Sequence, residues 1–121
     1  MVFKRQNRNI KFEFECIDGE VLKYETAHSA ELANKLTAIG EIDYDKKNDE
    51  EVKEILIRAY DQILGENAMD DIKELVYGGD EFTMADIIDI GVYIIEQVNK
   101  ANKELDKLFS AVQDVKSEKN E

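Results

Sequence analysis

The segment DYDKKNDEEVKE, residues 43 to 54, nearly matches a calcium-binding loop. Asp43 and Asp45 stand at the first and third positions of such a loop and Glu54 at the twelfth, all places that need an oxygen ligand. Its fifth position is Lys47 and its sixth is Asn48, where an oxygen ligand and the turn glycine belong. A cation there would meet a built-in positive charge, so the segment reads as a solvated loop leading into a capped helix. His28 is the only histidine, which excludes a site of several histidine ligands. Its place beside a helix start suits a surface or capping role better than catalysis. Cys16 is the only cysteine, so there is no intramolecular disulfide and no cysteine-based metal cluster, and its apolar neighbours mark it as a small buried hydrophobe.

The stretch from Ile63 to Asp89 holds eight carboxylates and three glycines. Gly65, Gly78 and Gly79 fit neither the phosphate-loop nor the dinucleotide spacing, no lysine follows them in register, and negative charge crowds the same segment. Glu51-x-x-Glu54 and Asp86-x-x-Asp89 resemble the paired acids with which all-α nucleotide pyrophosphohydrolases hold magnesium. That resemblance implies a magnesium-dependent hydrolase as an alternative reading. Such acids must point inward together to share an ion. Helical periodicity instead turns Glu54 away from the Val52, Ile55, Leu56 and Ala59 stripe, and turns Asp86 and Asp89 away from Ile87, Ile88 and Gly91. Glu66, Asp70, Asp71, Asp80, Glu81 and Asp86 fall at or near helix N-termini, where negative charge is favourable. The acidic stretch therefore reads as a joint of two helix stops and two helix starts.

The elements that would position these residues follow from apolar spacing. IKFEFEC, residues 10 to 16, alternates strictly and puts Ile10, Phe12, Phe14 and Cys16 on one strand face. A second strand, VLKYET, follows. A two-residue turn at Asp18-Gly19 would split the apolar faces, whereas a three-residue loop Ile17-Asp18-Gly19 pairs Phe14 with Leu22 and Phe12 with Tyr24. A hairpin alone is marginal in water, so helices must cover its aromatic face. The first is expected over about 27 to 39 with Ala30, Ala33, Leu36 and Ile39 inward. The second spans about 49 to 64 behind an Asn48 or Asp49 cap, with Val52, Ile55, Leu56, Ala59, Tyr60, Ile63 and Leu64 on its apolar side. Asn67 is placed to cap a short third helix with Ala68, Met69, Ile72, Leu75 and Val76 inward. Thr83 and Asp86 form a capping-box variant that opens the fourth.

That fourth helix is expected from 84 to about 113. Some ~30 residues at ~1.5 Å each give ~45 Å, more than the ~35 Å breadth of a compact domain of this size, so part of it must project or meet another chain. A 4,3 spacing runs through Met84, Ile88, Gly91, Ile95, Val98, Asn102, Leu105, Phe109 and Val112, widened in the first half by Ile87, Ile90 and Ile94. From Val98 the stripe narrows to a coiled-coil-like seam with Asn102 at an a-type position. Val98, Asn102, Leu105, Phe109 and Val112 are the candidate protein-binding residues.

With 121 residues, 36% charged and 43% apolar, the chain has the size and apolar content of one folded domain. The reading is α+β and predominantly α: a basic flexible arm over 1–9, one domain over 10–113 made of an N-terminal β-hairpin and about four helices, the last one long, and a polar tail over 114–121. Lys4, Arg5, Arg8 and Lys11 give the first eleven residues +4 of a net −12, leaving −16 on the rest, a poor partner for nucleic acid. An acidic inhibitor that mimics DNA is a further reading of that charge. No apolar signal region follows the basic start, and the run from Ile87 to Ile95 is short and contains Asp89. Neither a signal peptide nor membrane association is expected, and a cytoplasmic protein is.

The order of these pieces, FECIDGEVLKY, then ILGENAMDDIKELVYGG, then the long helix in DIIDIGVYIIEQVNKANKEL, resembles small tail assembly chaperones of long-tailed phages and prophages of Gram-positive bacteria. The likeness covers residues 10 to 108. Asn67 stands where many such sequences have a second glycine, and Gly-Gly-Asp follows Tyr77 where a glycine-basic pair is common. The resemblance implies a non-enzymatic protein, without cofactor or metal, working in several copies in the bacterial host cytoplasm. Its partner would be the long, aggregation-prone tape measure protein, kept soluble until tail tube subunits polymerise round it.

Overall fold

The computed structural model describes residues 1–5 and 8–119, with side chains through residue 113. The chain forms β1 (Ile10–Glu15), β2 (Val21–Thr26), α1 (Ala30–Gly40), α2 (Asp49–Leu64), α3 (Ala68–Leu75) and α4 (Met84–Lys119), with a short 3₁₀ turn at Tyr44–Lys46. This is the expected α+β order of a hairpin and four helices, the last one long.

Alternation sets the hairpin. Ile10, Phe12, Phe14 and Cys16 are buried while Lys11, Glu13 and Glu15 are exposed. Phe14 pairs with Leu22 and Phe12 with Tyr24. The Cys16 N–H donates to the Glu20 carbonyl at 2.8 Å and closes the three-residue loop, with Gly19 at φ 89°. That loop length is what keeps both apolar rows on one face. Tyr93 of α4 then covers the face edge-on, 5.3 Å from Phe14 and 6.4 Å from Phe12 between ring centroids. Its hydroxyl accepts from the Glu13 N–H at 2.8 Å.

α1 starts at Ala30 rather than 27, because the Ser29 side chain caps it, accepting from Leu32 N–H at 3.3 Å. Its inward row is Leu32, Leu36 and Ile39, while Ala30 and Ala33 are exposed. α2 begins where expected: Asn48 Oδ1 accepts from Glu51 N–H at 2.9 Å, and Val52, Leu56, Tyr60, Ile63 and Leu64 are buried.

The α2–α3 joint differs from expectation in its cap. Asn67 occupies the N-cap position with a left-handed φ of 63°, and its side chain makes no capping bond. Asp61, from the last turn of α2, reaches across instead, its Oδ1 accepting from Met69 N–H at 2.7 Å. Burial raises the Asp61 pKa above the ordinary carboxylate range, although the Met69 N–H pulls the other way. Leu75, expected inward, is 47% exposed; its carbonyl accepts from Ile17 N–H at 2.9 Å and so holds the hairpin loop to α3. The next joint passes directly under that loop. Gly78 sits at φ 68°, a left-handed backbone angle that calls for glycine, and a Cβ there would also lie 2.7 Å from Cδ1 of the exposed Ile17 side chain, which would have to turn aside.

α4 packs on α2 and β1, and α2 also packs on α1, α3 and β2. The core comprises the inner hairpin face, the buried sides of α2 and α3, and Ile87, Ile90, Ile94 and Val98 of α4. Residues 1–5 have no regular structure, and Met1, Val2 and Phe3 are exposed; residues 6 and 7 lie outside the described residues. α4 continues through most of the segment expected as a polar tail, DVKSEK, which contains neither glycine nor proline to stop it. Residues 120 and 121 lie outside the described residues.

Candidate functional site

The site is built on α4, so its start matters. Thr83 and Asp86 form the reciprocal box read from the sequence: Asp86 Oδ2 accepts from Thr83 N–H at 2.9 Å, and Thr83 Oγ1 accepts from Asp86 N–H at 3.1 Å. From there the helix runs 36 residues, about 54 Å at ~1.5 Å per residue.

Its first half is locked into the domain. Ile87 is 0% exposed, Ile94 1% and Val98 6%. Between them Gly91 lets α2 approach, because a Cβ at Gly91 would collide with the Tyr60 hydroxyl. That hydroxyl donates to the Ile87 carbonyl at 3.0 Å, and burial raises the Tyr60 pKa to about 12. Ile87, Gly91, Ile94 and Val98 therefore form one inward row, and the same row continues through Ala101, Leu105, Leu108 and Val112. Its spacing alternates four and three throughout, the a/d repeat of a helix-packing seam.

The cover over that row stops partway along. Ala101 is half-buried beside a hollow of about 180 Å³ shared with Arg8, Asn9, His28, Glu104 and Leu105. Beyond it Leu105 is 47% exposed, Leu108 43%, Phe109 65% and Val112 56%. The helix leaves the domain with the apolar row that filled the core continuing along it, exposed from Leu105 onward.

Of the candidate residues, Leu105 and Val112 lie on this uncovered row, and Phe109 is exposed beside it, seven residues beyond Asn102 in the other row. Val98 does not: it is part of the core cluster and has no free surface to offer a partner. Asn102 also departs from its expected place. It is off the seam, with Oδ1 2.7 Å from His28 Nε2, so the pair ties the link between β2 and α1 to α4. Leu108 was missing from the sequence-derived set and stands at the seam's centre. The reason is one of register. Met84, Gly91, Val98, Leu105 and Val112 recur every seven residues, and an alternating seam needs a second row either three or four residues after each. Periodicity alone allows both; the structure selects Ile87, Ile94, Ala101 and Leu108, and turns Ile88 and Ile95 outward at 53% and 50% exposure. The polar Asn102 in the other row was the signal that could have decided it.

The electrostatics of the two halves differ. Residues 12–97 contain 23 Asp and Glu against 7 Lys and Arg, a net −16, whereas residues 98–121 contain five of each and are balanced. The seam is thus carried on a C-terminal segment of balanced charge leaving an acidic body.

The metal-binding readings find no assembled ligand set. In the near-calcium segment Asp43 pairs with Lys46 at 3.6 Å, and residues 44 to 46 form a 3₁₀ turn. Glu51, Glu54 and Asp89 are exposed, and Asp86 is engaged in its cap. Among the described residues no group of three or more His, Cys, Asp or Glu side chains is arranged to hold a metal ion. Among them, too, no helix is long and apolar enough to cross a membrane. No protein-family model, curated protein or solved structure matches the chain.

Proposed function

We propose that this protein is a non-enzymatic chaperone that holds a long helical client, and that it serves phage tail assembly in the host cytoplasm with the tape measure protein as that client. The observation that carries the helix-binding part is the uncovered continuation of a core seam along Leu105, Leu108 and Val112, with Phe109 exposed beside it. An amphipathic client helix laid in this seam would repeat the packing that Ile94 and Val98 make inside the domain. The tail-assembly part rests on the resemblance carried by FECIDGEVLKY, ILGENAMDDIKELVYGG and the long helix.

On this reading several copies line one client, apolar seams supply affinity, and the acidic bodies keep the assembly soluble. The test is co-expression with a long coiled-coil tape measure protein. The expected result is a soluble complex that survives gel filtration and is lost when Leu105 and Leu108 are changed to Ser. A client whose solubility is unchanged, with no complex on the column, would remove the proposal. Association of the chain with itself through the same seam, lost in the same variant and insensitive to client, would replace it with a homodimer.

A further inference from the structure

α4 has a second apolar row that neither its own domain nor the proposed client seam uses. In its first half, MADIIDIGVYII, the helix is apolar nearly all round, a pattern expected of a helix covered on both sides. The inward side is covered; the outward side is not. Ile88 is 53% exposed, Val92 49% and Ile95 50%. With Ala85 they are spaced three, four and three residues apart, which draws a second packing row. At ~100° per residue this row lies roughly 120° round the helix from the inward one. A single straight helix cannot cover this row and the C-terminal seam together.

The row also borders a hole. Ile95 forms one lip of a cleft of about 160 Å³ between α1 and α4, walled by Leu36, Ile39, Gly40 and Gly91 and floored by Tyr60. A ridge of three aliphatic side chains beside an apolar hole of one side chain's size is the relief that receives a packed helix with an anchoring residue. Its free flank is acidic, since Asp89 and Glu96 follow the row on the side away from α1 and both are exposed.

We infer that the outer face of α4 docks a helix of another polypeptide, one whose aliphatic residues are spaced three and four apart with Lys or Arg along one flank to meet Asp89 and Glu96. Charge selects this occupant over a second copy of the chain. Two copies meeting antiparallel across this face would set Asp89 and Glu96 of one against the same pair of the other, in chains already of net −12. The face is independent of the seam at Leu105 to Val112, so the inference stands or falls apart from the client proposal.

The test uses the full chain and three synthetic helical peptides, read by fluorescence anisotropy. One carries leucines in the three-four row with arginines on one flank, the second replaces the arginines with glutamates, and the third keeps the arginines but scrambles the leucine spacing. The first should bind best. Changing Ile88 and Ile95 together to Ser should weaken it by about tenfold or more, since apolar burial on the row is removed. Changing Asp89 and Glu96 to Lys should reverse the preference toward the glutamate peptide, and Leu108→Ser should leave all three affinities unchanged. Equal binding of the scrambled peptide would show charge attraction alone and overturn the inference. So would loss of binding in Leu108→Ser, which would assign the peptide to the C-terminal seam, and so would a dimer dissolved by the Ile88 and Ile95 changes, which would assign the face to a second copy.

Discussion

Ile94 and Leu108 occupy equivalent places on one helical row, fourteen residues apart, and replacing each by alanine tests where the domain ends. Ile94 is 1% exposed, so Ile94→Ala removes buried carbons and leaves a cavity, a change that costs about 2–5 kcal/mol. Leu108 is 43% exposed and outside the core cluster, so Leu108→Ala should stay within about 0.5 kcal/mol, with alanine's better helix propensity offsetting part of any loss. The gap between the two variants is therefore about 2 kcal/mol or more. Urea unfolding followed by circular dichroism at fixed protein concentration measures it, with a common slope confirming that the unfolded states are comparable. In a thermal melt 1 kcal/mol corresponds to about 3–5 °C for a domain of this size, so Ile94→Ala should melt roughly 10 °C lower and Leu108→Ala within a few degrees of the parent. Equal destabilisation by the two changes, unaffected by dilution, would mean that the far half of α4 folds back on its own domain, and the uncovered seam would not exist.

Gly91→Ala should destabilise through its collision with the Tyr60 hydroxyl, and Tyr60→Phe should restore part of the loss although it costs about 1 kcal/mol alone by removing the bond to the Ile87 carbonyl; the double-mutant cycle gives the coupling. Tyr24 and Tyr60 have pKa values raised by burial from 10.0 to about 12, so their unfolded forms ionise first as pH rises. Their contribution to stability is complete below pH 10 and is lost between 10 and 12, visible as a falling unfolding midpoint and as an ultraviolet tyrosine titration that is completed only near pH 12. Asp61→Ala should cost about 1 kcal/mol by freeing the Met69 N–H, whereas Asn67→Gly should be neutral or stabilising because the left-handed angle at 67 favours glycine; chemical denaturation of both variants locates the cap.

The hairpin was legible because a period of two leaves only one register that keeps Phe12, Phe14, Leu22 and Tyr24 together. α2 and the capping box at Thr83 were legible for a related reason: their signals are local and involve residues three or four apart. The cap of α3 was not, because its acceptor comes from Asp61, eight residues before the N–H it serves and on another helix. The inward side of α1 was legible in part: Leu36 and Ile39 pack against the core as expected, whereas Ala30 and Ala33 are exposed and Leu32 takes the buried place instead. For the candidate site, the existence of a seam on the last helix was readable. Its exact membership depended on which side α2 approaches, and that is set by the contact of Tyr60 with Gly91, which no spacing rule contains.

Because α4 is a single rod with one end anchored and one end bare, its backbone amides should not share one lifetime. Those between Ile87 and Val98 can exchange with solvent deuterium only when the whole domain opens, while those beyond Asn102 need only local fraying of the free end. Hydrogen exchange along this one helix should therefore show a step near residue 100, and anything gripping the bare end would move the slow side of that step outward without altering the anchored part.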